Sequence, residues 1–221
     1  MEGVRKGFGE GGGRVEILKG ADMELPEGGL GVLTGPSGSG KTTLLGIAGL
    51  LLRADGGRVL FRGRDTTEMD EEGRSALRAS EIGMVFQKFC LLPRRNVLDN
   101  VLFRFRYAKE GPGGKEARQR AEEALERVGM EDKAKRAAGV LSAGEMQRVA
   151  IARAIASGPS LLLADEPTGN LDEGNAAGVM ELFCELNRSG MGVLVVTHNL
   201  EWTQLAGAKC WRMEGGRVTL R

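Results

Sequence analysis

The 221-residue sequence predicts an α/β fold with a mainly parallel core sheet, an antiparallel β subdomain and an inserted helical subdomain. Three observations carry this. The runs Leu30–Thr34, Leu161–Ala164 and Val193–Thr197 are short and apolar, as strands buried on both faces of a parallel sheet must be. Arg14–Leu18 and Arg58–Arg62 alternate in period two, which suits strands with one wet face. Between Gln87 and Pro159 the apolar residues instead recur at helical spacing.

In chain order, Val4–Phe8 and Arg14–Leu18 read as a hairpin around the turn Gly9–Gly13, and Ala21–Leu25 as a further strand stopped at Pro26. Leu30–Thr34 then runs into Gly35, Pro36, Ser37, Gly38, Ser39, Gly40, Lys41, Thr42 and Thr43, a full match to G-x-x-x-x-G-K-[ST]. Glycines let successive backbone N–H groups face one anion, Lys41 adds charge toward the β- and γ-phosphates, and the Thr42 hydroxyl suits Mg²⁺. Leu44, Leu45, Ile47, Ala48 and Leu51 make the next segment a helix with its N-terminus on the same phosphates. The order strand, glycine loop, helix is the context that separates a phosphate cradle from a glycine-rich turn.

Arg58–Arg62 is expected to join the first strands, residues 70–79 to form a surface helix, and Ile82–Phe86 to be a buried strand ended by Gln87. Val97, Leu98, Val101, Leu102 and Phe105 mark one helix, Gly111–Gly114 a break, and Ala117–Val128 a second helix with Gly129 as its C-cap glycine. Ser142 with Glu145 three residues later is a capping box for a third. The apolar run from Leu161 ends in Asp165 and Glu166, and the single histidine, His198, follows Val193–Thr197. Ligands of open parallel sheets bind at that carboxyl edge, so two acids and a histidine there invite metal or base chemistry. After a helix around residues 176–186, Lys209–Met213 and Arg217–Leu220 read as a closing hairpin.

Lys and Arg number 31 against 30 Asp and Glu, so the net charge of +1 gives no field that draws the chain to nucleic acid, and no nucleic-acid partner is expected. No apolar run approaches the ~20 residues of a membrane span, and the first residues lack a signal-peptide core, so the expected location is cytoplasmic. Cys90, Cys184 and Cys210 are odd in number and widely spaced, which argues against a disulfide framework or zinc site and for ordinary buried thiols.

The cradle, Gln87, Leu141-Ser142-Ala143-Gly144-Glu145, the strand ending Asp165-Glu166, Asn170-Leu171-Asp172 and His198 follow one another as in an ABC-transporter ATPase subunit, which the chain resembles over essentially its whole length. Ala164–Asp172 and Phe86–Pro93 most resemble the group of lipoprotein-releasing, macrolide-export and cell-division ATPases. The resemblance implies one ABC ATPase domain over 1–221, with antiparallel β pieces near 1–29 and 56–64, a helical subdomain near 88–157, and core elsewhere. It implies ATP and Mg²⁺, an integral permease-type membrane partner at the inner face of the cell membrane, and a homodimer with two composite sites.

Residue by residue, the resemblance gives Phe8 the place of the aromatic that stacks on adenine, although tyrosine is usual there. Asp165 would hold Mg²⁺ with Thr42, Glu166 would be the general base, His198 would touch the γ-phosphate, and Gln87 would sense metal and phosphate. Ser142 and Gly144 would close over the nucleotide of the second subunit. Ala143 departs from the family's glycine, and its methyl would be costly if the backbone there must take φ > 0 or approach phosphate closely. The rival readings are a division-site scaffold switched by ATP, a DNA-repair relative and a translation-type ATPase. The second lacks its long heptad arms here, since about 100 residues separate cradle and Ser142, and the third lacks its second cassette.

Overall fold

Six short segments, four of them apolar on both faces, dictate the centre of the molecule. In the computed structural model, which describes residues 1–9, 13–106 and 112–221, these segments form one six-stranded sheet. Its strands are β3 (Leu30–Thr34), β7 (Ile82–Val85), β8 (Leu161–Asp165), β9 (Gly192–Thr197), β10 (Ala208–Glu214) and β11 (Arg217–Leu220), in the order β11-β10-β3-β9-β8-β7. All neighbours are parallel except the β10–β11 hairpin at one edge. The register sets Thr34 beside Thr197, Val196 beside Asp165, and Ala164 beside Val85. The carboxyl ends of β3, β9, β8 and β7 therefore share one edge.

Alternation along the strands feeds two cores. Leu162, Ala164, Val193 and Val195 face a helical layer, whereas Leu163, Leu194 and Val196 face α1 (Lys41–Ala48) and the N-terminal strands. The helical layer comprises α3 (Val97–Leu102), α4 (Gly114–Arg127), α5 (Ala143–Ile155) and α6 (Glu173–Arg188). Side chains cap these helices as their sequences demand: Asn96 accepts from the Asp99 N–H, and Asp172 from that of Asn175. The Ser142–Glu145 capping box forms in both directions, and the Met130 N–H closes α4 on the Leu125 carbonyl beside Gly129. α2 (Glu71–Glu81) starts at Asp70, whose carboxylate accepts from the Gly73 N–H.

The antiparallel sheet consists of β1 (Glu2–Phe8), β2 (Val15–Ala21) and β4 (Gly56–Arg58), with β1 central. Arg58–Arg62 does not form the single strand expected. After β4 the chain turns aside into β5 (Leu60–Phe61), which pairs only with β6 (Arg64–Asp65) across Arg62 and Gly63, both at positive φ as a tight hairpin turn requires. Ala21–Leu25 is also not a strand: β2 ends at Ala21, and Met23 instead exchanges backbone hydrogen bonds with Met1. Its alternating pattern records the burial of Met23 beneath the sheet rather than a ladder.

Leu51, expected within the helix after the cradle, lies beyond the end of α1 and is half exposed, while Leu50 is buried in the core. The cysteines are not buried thiols: Cys90 is exposed, and Cys184 and Cys210 are half-buried. Of the two expected glycine breaks, Glu10, Gly11, Gly12 and Gly111 lie outside the described residues. No helix among the described residues is long and apolar enough to cross a membrane.

Candidate nucleotide site

Sequence puts the cradle between a buried strand and a helix, and the fold puts that junction at the carboxyl edge. Gly35 has φ +156, and a Cβ on it would stand 2.2 Å from the Met213 carbonyl oxygen, so only glycine lets the loop leave β3 beside β10. The Lys41 ammonium, nearly buried, donates to the carbonyls of Gly35 (2.8 Å) and Pro36 (3.0 Å), which draws it over the loop. Ser39 is buried and its Oγ has no partner among the described residues, an orphaned polar atom inside the loop. Pro36, Ser37 and Gly38 are exposed, Gly40 and Thr43 half-buried, and Thr42 is exposed in the first turn of α1.

Across the edge, Thr42 donates to Asp165 at the end of β8. Burial pushes the Asp165 carboxyl above the usual carboxylate range; the Thr42 hydrogen bond opposes this, the Glu166 charge adds to it, and Lys41 opposes it. A hydroxyl and a partly desolvated carboxylate in contact are hard oxygen donors of the kind Mg²⁺ takes alongside phosphate oxygens. The donor set and the orphaned Ser39 hydroxyl together fit a metal–polyphosphate ligand.

Glu166 takes φ +46, a left-handed conformation that costs a non-glycine residue about 1–3 kcal/mol. Its N–H donates to the Val196 carbonyl at 2.8 Å, and its carbonyl accepts from Gly169 at 3.1 Å, which hold the turn. The side chain is thereby aimed at the end of β9. Thr197 Oγ1 donates to Glu166 Oε2 at 2.9 Å, and His198 Nδ1 lies 2.9 Å from Oε1. The His198 ring is otherwise largely open to solvent. Thr197 is the site residue that sequence reading missed; its signal was a polar residue closing an apolar run one step before His198.

Gln87 is exposed just beyond β7, and its carbonyl accepts from the Asn170 side chain at 2.8 Å, tying the segment after β7 to the segment after β8. Phe8 stands at the end of β1, 46% exposed. Ser142 and Gly144 are not gathered with this group. They begin α5, which packs on α3, α4, α6 and β7, whereas α1 packs on β2, β8 and β9. Ser142 is exposed and Gly144 buried. A Cβ at Gly144 would stand 2.2 Å from Asn175 Oδ1, so any larger residue there would have to displace the Asn175 side chain of α6. Ala143 is the first residue of α5 and is not at positive φ, so its methyl causes no strain in this chain. Lys133 pairs with Glu145, and with the Ser142 N–H it holds that carboxyl below the usual range.

Comparison with known proteins agrees with the geometry. The model of the family described as ABC transporter matches residues 18–169. An uncharacterized ABC transporter ATP-binding protein of Thermotoga maritima is 44% identical over 205 residues, 93% of this chain and 86% of that one. The lipoprotein-releasing system ATP-binding protein LolD of Paramagnetospirillum magneticum is 44% identical over 200 residues, 90% of this chain and 88% of that one. A macrolide export ATP-binding/permease protein, MacB of Syntrophobacter fumaroxidans, is 41% identical over 207 residues, 93% of this chain but 29% of that longer protein. Among solved structures, a dimeric ATP-binding cassette in a post-hydrolysis state bound to ADP and Pi superposes with a TM-score of 0.89 and 34% identity, covering 100% of this chain and 96% of that one. The chain belongs to the ABC transporter family, as an ATP-binding subunit.

Proposed function

We propose that this subunit is a Mg²⁺-dependent ATPase that closes as a homodimer over two composite sites and drives a membrane partner of the lipoprotein-release type. The observation that carries the reading is the convergence of Lys41, Asp165, Glu166 and His198 at one sheet edge, with Ser142 and Gly144 on a different layer. One chain then offers two half-sites, and a two-fold axis completes both. The dimeric cassette bound to ADP and Pi supports this arrangement.

In this reading the loop amides and Lys41 bind the phosphates, and Phe8 stacks on the base. Thr42 and Asp165 hold Mg²⁺, with Gln87 near it, and the metal when bound neutralises charge on the phosphates. Glu166 positions the attacking water and accepts its proton at Oε1. His198 then leaves that oxygen and donates toward the γ-phosphate. Ser142 and the N-terminus of α5, with its free N–H groups, close over the γ-phosphate of the other subunit.

The lobes follow the same logic. Residues near 1–29 and 56–64 serve the base, the helical subdomain near 88–157 carries the signature and meets the membrane partner, and the remainder is the catalytic core. Such an arrangement would hold the chain at the inner face of the cell membrane. The LolD relatives, whose whole length this chain nearly spans, favour lipoprotein release over export, since the macrolide relative is an ATP-binding/permease protein.

A groove of about 320 Å³ suits the partner. Leu51, Met84, Phe86 and Phe103 supply apolar lining, and Arg104 and Arg153 also line it. Burial lowers both guanidinium pKa values, and their N–H groups are spent on the carbonyls of Arg78, Ala79, Ile82, Phe89 and Cys90.

The purified chain tests the activity directly: ATP hydrolysis abolished by EDTA and restored by Mg²⁺ is expected. Hydrolysis indifferent to EDTA, or none, overturns the reading. Crosslinking in membranes, followed by identification of the captured protein, tests the partner.

A further inference from the structure

The end of β1 that carries Phe8 pairs with β2, Gly7 with Glu16 and Phe8 with Val15, but has no strand partner on its β4 side. β4 pairs with β1 only at Glu2 and Arg5, and the last backbone bond between this region and β1 is from the Asp55 N–H to the Arg5 carbonyl at 2.8 Å. Beyond that point a side chain takes over the ladder. Asp55 Oδ2 accepts from the Gly7 N–H at 2.8 Å, Asp55 Oδ1 accepts from Lys6 Nζ at 2.7 Å, and Arg14 of the hairpin donates to Oδ2 at 2.6 Å. Gly7 has no side chain to block Arg14, whose Nε would stand 2.8 Å from a Cβ there.

These partners, Lys6 first, hold the Asp55 carboxyl down to about 2, so it is charged throughout the neutral range. The Lys6 ammonium, fixed in this way, lies 5.6 Å from the centroid of the Phe8 ring, within cation–π range. The β1–β2 register shifts between Lys6 and Gly7, and with this irregularity the Lys6 ammonium lies over the Phe8 ring. One face of Phe8 is therefore taken by a cation, and 46% of the residue remains open.

Resting on the reading of Phe8 as the base platform, we propose that Lys6, anchored by Asp55, is a positioning residue for nucleotide binding. Its ammonium occupies one face of the Phe8 ring and orients the other toward the purine. Phe8 has no hydroxyl with which to fix itself, and the Lys6–Asp55–Arg14 cluster supplies the anchor instead. The device acts on the affinity for a nucleoside triphosphate and not on the chemical step.

A double-mutant cycle on the full chain tests this, with steady-state ATPase measured for Lys6→Met, Lys6→Arg, Phe8→Ala and the Phe8→Ala/Lys6→Met pair. Lys6→Met should raise KM for ATP roughly threefold to tenfold, within what loss of one base stack costs, and leave kcat within about twofold. Lys6→Arg, which keeps the cation, should restore most of the KM. In the Phe8→Ala background Lys6→Met should add nothing, and inhibition by inorganic triphosphate, which has no base, should be unchanged in every variant. An unaltered KM in Lys6→Met, a rise that persists in full without Phe8, or weakened triphosphate inhibition overturns the proposal while leaving the platform intact. An unaltered KM in Phe8→Ala overturns the platform and the proposal together.

Discussion

His198 Nδ1 and Glu166 Oε1 lie 2.9 Å apart, although they come from different strand ends and are 32 residues apart in the chain. Thr197 Oγ1 and the His198 N–H occupy the other carboxylate oxygen at 2.9 and 3.3 Å. Both oxygens of Glu166 are thus engaged, Oε2 by two donors and Oε1 by the imidazole alone, so Oε1 keeps an acceptor site for a water molecule. Because that ring is largely exposed, it can turn without disturbing the core.

His198→Ala should therefore remove the proposed γ-phosphate contact without loss of stability. Turnover is expected to fall roughly 100-fold, as for loss of one donor to developing charge, with the melting temperature within about 2 °C. Full turnover in a folded variant would show that the imidazole has no part in the reaction.

Lys41→Ala removes a charge and the two hydrogen bonds that draw the side chain over the loop. ATP affinity should fall roughly 10- to 100-fold, the size of one or two lost charge-assisted bonds. Equilibrium binding of a fluorescent ATP analogue measures it, and unchanged affinity would contradict the assignment of the cradle.

Ala143→Gly separates the sequence expectation from the structure. A strained methyl at Ala143 predicts faster turnover with glycine, but Ala143 begins α5 at ordinary helical φ, where glycine costs up to about 1 kcal/mol. Steady-state ATPase is expected to stay within about twofold and the melting temperature to drop slightly. A several-fold rise would restore the strain argument in the closed dimer.

The cradle and the capping box were legible because both are local: a few consecutive residues determine whether N–H groups converge or a helix begins. The parallel strands were legible because burial on both faces leaves a continuous apolar run. Arg58–Arg62 misled because a tight turn at Arg62 and Gly63 outweighed its alternation. Thr197 and the left-handed Glu166 depend on the register between β8 and β9, which no single segment encodes.

The apolar cluster after Gln87 shows the same limit. Phe89, Leu91, Leu92, Val97, Leu98, Val101, Leu102, Phe103 and Phe105 read as a surplus of apolar surface for docking. In the fold, however, Val97, Leu98, Val101 and Phe105 fill the helical core, and Leu91 and Leu102 pack against it. Leu92 is exposed but does not line the groove, which is lined by Phe86 and Phe103 with Leu51, a residue expected from sequence within the helix after the cradle.

Leu51→Glu should accordingly leave folding and basal ATPase unaltered, because half of this side chain already meets solvent. Capture of the membrane partner should fall at least roughly tenfold, as expected when a charge enters an apolar contact. Undiminished capture would place the docking surface elsewhere, whereas Leu91→Glu should lower the melting temperature, since Leu91 packs on the core.

Glu166→Gln tests the central claim most directly, because it removes the proposed base and keeps the shape. With Mg-ATP the variant should bind nucleotide, hydrolyse it at least roughly 100-fold more slowly, and accumulate as a dimer of twice the 23.6 kDa chain mass in light scattering. A variant that binds Mg-ATP but remains monomeric at every concentration would contradict the composite site.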